Sequence, residues 1–397
     1  MSLMPSSGWP PAPPGRLIDV GGHRLHILCD GTGSPATVLD AALGGSSISW
    51  SLVQPELARL TSVCSYDRAG FGWSDAGPMP RTAGRIADEL RRLLERAGVD
   101  PPFLLVGHSF GGLVMRIFAR RYGADTAALV LVDPAHPEDW VAPAPKEQLK
   151  IDRGVRLCRY GSSAARLGLA SVVAGLVGVG ALGPARALVK LASRGGLSRE
   201  DEGILAPVWR LPPEARRPLR YFWTQPRFFD ALGSQIASIC ESAAETLDAA
   251  RGGYGDLPLV TISSTDPGDH RLRQQEALAR LSTQGEHVIA SNSGHWVPLD
   301  QPQVVVAAVA RMLGQTAAGS DPGLTPPANS WCPGPNNGPR RNAGNPQEIN
   351  VLRWHIPCSG PRLWSRISWS QHGRSYSARA TPSPSSSHSP SASARAR

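Results

Sequence analysis

The sequence predicts an α/β fold: a mostly parallel sheet with helices on both faces, a mainly helical insertion, and a disordered tail. Three observations carry this prediction. Strand-length apolar runs alternate with helical patterns over the first 135 residues; the alternation stops from about 137 to 253; and it resumes until about 315. Alternating strands and helices favour a parallel sheet covered on both faces. A chain of 397 residues is long enough to build one and interrupt it.

The N-terminal residues 1–15, "MSLMPSSGWPPAPPG", are too rich in proline for a core element, and they lack the basic-then-apolar order of a secretory signal. "GRLIDV" and "HRLHILCD" alternate around a Gly-Gly turn and read as a hairpin. "ATVLDAA" and "SVCSYD" read as buried strands, each followed by a glycine-rich loop. "RTAGRIADELRRLLERAG" places Ile86, Leu90, Leu93, Leu94 and Ala97 on one helical face, with Thr82 as N-cap and Gly98 as stop. "PFLLVG" and "AALVLVD" are continuous apolar runs, the pattern of strands covered on both faces.

These elements form a first core segment, 16–136. The helical insertion, 137–253, contains 19 uncharged residues, 167–185, a length close to that of a membrane span. Five glycines and a proline weaken a lone spanning helix, so a buried or lid helix is expected, with peripheral membrane contact as the lesser alternative. A second core segment, 254–315, supplies the strands "LPLVTISS" and "EHVIASNSGHW" and a closing helix. Residues 316–397 are low in complexity and rich in Pro, Gly, Ser and Asn, and are expected to be disordered.

The formal charge of +9 resides mainly in that tail, where residues 321–397 hold nine arginines against two acids. The remainder balances 32 basic against 30 acidic residues, so no nucleic-acid-binding face is expected on the body. Six cysteines without paired spacing read as reduced thiols of a cytoplasmic protein.

The chemistry begins at "FLLVGHSFGG". Gly107, Ser109 and Gly111 fit G-x-S-x-G between an apolar strand and a helix, a context that makes the pattern specific. A sharp turn there exposes the serine hydroxyl, and the following helix N-terminus favours negative charge. A serine hydroxyl needs a base within hydrogen-bond reach. His295 in "SNSGHW", after the last strand and before the final helix, is the expected base, with His270 as competitor. His108 is expected in a packing or pocket role. Asp67, Arg68 and Asp75 are expected to stabilise their loop rather than to react.

The order of elbow, helical insertion, late "SGH" and closing helix resembles the α/β-hydrolase fold superfamily. "SYDRAGFGWSD", "LVLVDPAHPE" and "HWVPLDQPQVV" are similar to segments of many members. The resemblance covers about 15–315 and implies serine-esterase or lipase-like chemistry under a helical cap, on a small acyl substrate and without metal or organic cofactor. Its siblings with epoxide hydrolase or haloalkane dehalogenase activity carry aspartate at the elbow, so Ser109 points away from them. The resemblance also implies an acid partner for the histidine. The "VDPAHPE" subgroup favours Asp133, and Asp266, after the next strand, is the alternative. An oxyanion hole is implied between the backbone N–H of Phe110 and that of Leu43. Many members have His-Gly where this chain has Ala41-Ala42. The apolar stretch 167–185 suggests a hydrophobic substrate. A non-catalytic ligand-binding member of the fold, or an acyltransferase, is the competing expectation.

Overall fold

A computed structural model of the chain describes residues 11–178, 210–265 and 268–320, with a few positions between 180 and 188. The expected hairpin forms from β1 (Arg16–Asp19) and β2 (Arg24–Asp30), paired antiparallel. Six further strands follow: β3 (Ala36–Asp40), β4 (Val63–Tyr66), β5 (Phe103–His108), β6 (Thr126–Val132), β7 (Leu259–Ser263) and β8 (Gly285–Ile289). They join in one eight-stranded sheet of order β1-β2-β4-β3-β5-β6-β7-β8, in which β2 meets β4 antiparallel and every later pairing is parallel.

The apolar runs in β5 and β6 are continuous because both faces of the sheet are covered. Phe103 and Leu105 face one buried cluster with Leu129 and Leu131; Leu104 and Val106 face another with Val130 and Val132. The first cluster is completed by α1 (Ala83–Ala97) and α2 (Phe110–Arg121), the second by α9 (Pro302–Ser320). Ile86, Leu90, Leu93, Leu94 and Ala97 are all buried, as their spacing predicts. Thr82 caps α1 by accepting from Arg85 N–H at 3.2 Å, and Gly98 ends it at φ 71°. Truncating a buried leucine such as Leu105 to alanine would cost about 2–5 kcal/mol.

Between β6 and β7 the described chain is helical: α3 (Pro145–Arg166), α4 (Leu169–Gly178), α5 (Pro213–Phe222), α6 (Pro226–Ala237) and α7 (Ile239–Ala249). α3 and α6 approach closely where a Cβ on Gly161 would meet the Phe229 ring at 2.4 Å, and Ser162 donates to Asp230 at 2.6 Å. α7 lies within the stretch expected as insertion, yet it packs on the core. Ile239 and Ala249 join the first cluster, and Ser242 and Glu245 accept the N–H groups of Ala83 and Gly84 at the start of α1. A further helix, α8 (Gly268–Ala279), connects β7 to β8.

Two expectations are revised or narrowed. Cys29 and Cys64, expected as reduced thiols, form a disulfide across 35 residues. The antiparallel pairing of β2 with β4 sets them directly opposite each other, which spacing along the chain does not reveal. Within 167–185, α4 is only ten residues long and bends 92° from α3; among the described residues no single helix is long and apolar enough to cross a membrane. The tail 321–397 and residues 1–10 lie outside the described residues.

Candidate active site

β5 ends in the turn that carries Ser109, whose backbone is held at φ 53°, ψ −116°. This conformation is strained for a residue with a Cβ. It persists because the surroundings over-determine it: Ser109 N–H donates to Val132 O at 3.0 Å, and its carbonyl accepts from Gly112 at 2.9 Å and Ala135 at 3.1 Å. The flanking glycines permit this approach. A Cβ on Gly107 would lie 2.5 Å from Gly111 O, and one on Gly111 would lie 2.5 Å from Asp40 O. The G-x-S-x-G pattern is therefore a packing requirement between β5, α2 and the loop after β3.

β6 ends at Asp133, also at positive φ (38°), with its N–H on Ile262 O at 2.7 Å. Its carboxylate is buried and accepts from the backbone N–H of Ser264 at 3.3 Å and the Ser264 hydroxyl at 3.4 Å. Burial works against ionisation there, but the hydrogen bond and charge of His295, with the Ser264 N–H, hold the carboxyl below the ordinary aspartate range.

His295 arrives on the loop after β8. Ser293 N–H donates to Thr265 Oγ1 at 2.9 Å, and Gly294 N–H donates to Asp300 at 2.9 Å. His108, beside the serine, donates from Nε2 to the His295 carbonyl at 2.7 Å. Its ring lies 5.0 Å from the His295 ring and 5.4 Å from that of Trp296. Burial pushes the His108 pKa down to about 3, with the nearby His295 charge acting in the same direction. A neutral imidazole carries one proton, and the carbonyl contact assigns it to Nε2. His108 thus packs beneath the His295 loop, as expected.

These supports bring three side chains into one line. His295 Nδ1 lies 2.7 Å from Asp133 Oδ2, and His295 Nε2 lies 3.0 Å from Ser109 Oγ. The sequence alternative Asp266 lies outside the described residues. The competitor His270 stands exposed at the start of α8. The N–H groups of Phe110 and Leu43 donate to no acceptor among the described residues. Leu43 follows the first residue of a turn closed by Gly45 N–H on Ala42 O at 3.0 Å, with Gly44 at φ 70°.

Asp67 accepts from Ser47 N–H at 2.7 Å and Trp73 N–H at 3.0 Å; Asp75 pairs with Arg24 at 2.8 Å; Arg68 pairs with Asp40 at 2.7 Å. All three hold loops, as their crowding among glycines suggests. Sequence reasoning missed Ser264 and Asp300. Asp300 stands five residues after His295 in "HWVPLD", close enough to have been weighed as a loop anchor.

An eight-stranded, mostly parallel sheet with a serine elbow, a late histidine loop and a helical insertion defines the class. The sequence profile of the alpha/beta hydrolase family matches residues 38–308, and the chain belongs to that family. An AB hydrolase superfamily protein of Gibberella zeae is 40% identical over 88 residues, which cover 22% of this chain and 27% of that protein. The chain spans less than half the length of the curated relatives it matches. Among solved structures, an esterase from Thermogutta terrifontis aligns with a TM-score of 0.53 at 21% identity, covering 74% of this chain and 94% of the other. The epoxide hydrolase CorEH aligns with a TM-score of 0.56 at 19% identity, covering 76% and 98%. At these identities the two structures share the fold.

Proposed function

We propose that this protein is a serine hydrolase acting on carboxylic esters, thioesters or lactones of a small hydrophobic substrate. The observation that carries the reading is the hydrogen-bonded line Asp133–His295–Ser109. Ser109 Oγ attacks the acyl carbonyl while His295 Nε2 takes its proton, and Asp133 orients the ring and stabilises the imidazolium. The N–H groups of Phe110 and Leu43 receive the developing oxyanion. His295 then protonates the leaving alcohol or thiol, and water, activated by the same nitrogen, releases the acid from the acyl-enzyme.

Two features support the finer choices. The His295 side chain is 47% exposed, so water reaches the base, which favours hydrolysis over acyl transfer. Trp73, Phe222 and Trp296 belong to one apolar cluster joining the insertion to the loops around the site, which favours an apolar acyl or alcohol group. A panel of p-nitrophenyl esters from acetate to decanoate tests both. The expected result is an initial burst of p-nitrophenol and a kcat/KM that rises with chain length. Preference for acetate would remove the hydrophobic assignment, and no turnover of any ester would count against the hydrolase reading.

A further inference from the structure

Arg68 is one of the largest fully buried side chains among the described residues, and it reaches the end of β3, the loop that follows it, and the first residue of α2. Its Nε and Nη2 bind Asp40 Oδ1 at 2.9 and 2.7 Å, Nη1 donates to Ala42 O at 3.1 Å, and Nη2 also donates to Ala41 O. Its guanidinium carbon lies 5.0 Å from the centre of the Phe110 ring. One side chain therefore grips the carbonyl of the peptide whose N–H belongs to Leu43, and stacks on the residue whose N–H is the other oxyanion donor.

We infer that Arg68 is a positioning residue for the oxyanion hole, setting the Leu43 N–H in place and strengthening it as a donor. This rests on the reading that Ser109 is the nucleophile. The physical reason is twofold. An amide whose oxygen accepts from a cation is polarised, so its N–H becomes more positive, and the effect is large where water is excluded. The planar fork of arginine can meet Asp40 and two carbonyls while stacking on a ring; a lysine ammonium cannot. Asp40, as buried as Arg68, supplies the counter-charge that lets a guanidinium reside there. Neither Ala41 nor Ala42 has a polar side chain, and Arg68 binds both of their carbonyls.

The test compares wild type with Arg68→Lys and with the double variant Arg68→Met/Asp40→Leu, which removes both buried charges together so that neither is left unpaired. Folding is checked by thermal melting. Two quantities are then read: kcat and KM on a p-nitrophenyl ester, and the affinity for an alkyl trifluoromethyl ketone, which forms a tetrahedral oxyanion on the serine. The expected result is a fall in kcat of about 10²-fold in both variants with KM little changed. Ketone affinity should fall in parallel, a split that a merely structural role would not produce. A folded double variant that keeps wild-type kcat and ketone affinity overturns the inference while leaving Ser109 as nucleophile. Failure of wild type itself to turn over the ester or bind the ketone overturns the nucleophile reading, and the inference with it.

Discussion

Asp133 and His295, 162 residues apart in sequence, meet through a 2.7 Å hydrogen bond from ring Nδ1 to carboxylate Oδ2. The contact fixes the imidazole tautomer so that Nε2 presents its lone pair to Ser109. Asp133, directly after β6, is the acid of the triad we propose.

Asp133→Asn is expected to keep the fold and lower kcat by about 10³–10⁴-fold, because the amide can donate to Nδ1 and stabilise the wrong tautomer. Asp266→Asn is expected to stay near wild type. Steady-state kinetics of the two variants on one ester check this, and the opposite pattern would move the acid to Asp266.

His108 makes stability depend on pH. Burial lowers its pKa to about 3, so between that value and the ordinary histidine range the unfolded chain binds a proton that the folded chain does not. Stability contributed by the neutral ring is fully present above the unfolded pKa and is lost as pH falls below it. Between pH 7.5 and 5.0 the loss attributable to this residue is about 2 kcal/mol. Urea unfolding at the two values measures it, and His108→Gln should show a correspondingly smaller difference.

The Cys29–Cys64 bond closes a loop of 35 residues' separation. Constraining the unfolded chain to that extent contributes about 3–4 kcal/mol. Intact mass with and without thiol-specific alkylation should show one disulfide, and Cys29→Ala/Cys64→Ala should melt several degrees lower in the absence of reductant. Equal melting temperatures would show that the bond contributes nothing.

Much of this arrangement is legible in the sequence where it depends on local rules. The glycines around Ser109 announce an elbow because no other residue fits between β5, α2 and the Asp40 backbone. The α1 boundaries follow from Thr82 and Gly98, whose cap and left-handed turn are chemical properties of single residues. What is not legible depends on which strands become neighbours. The Cys29–Cys64 bond requires β2 to pair with β4, skipping β3. The grip of Arg68 on Ala41 and Ala42 requires β4 to lie beside β3, so that the two following loops meet. α7 reads as part of an insertion from its place in the chain, yet its Ser242 and Glu245 complete the N-terminus of a core helix. The choice between Asp133 and Asp266 depended on resemblance alone, since both follow apolar strands.

Whether Ser109 is a nucleophile activated by His295 is read by reaction with a fluorophosphonate, followed by digestion and peptide mass spectrometry. One adduct per native chain is expected, on the peptide containing Ser109, absent from Ser109→Ala and greatly slowed in His295→Ala. Native protein that stays unmodified, or an adduct on another residue that persists in Ser109→Ala, would contradict it.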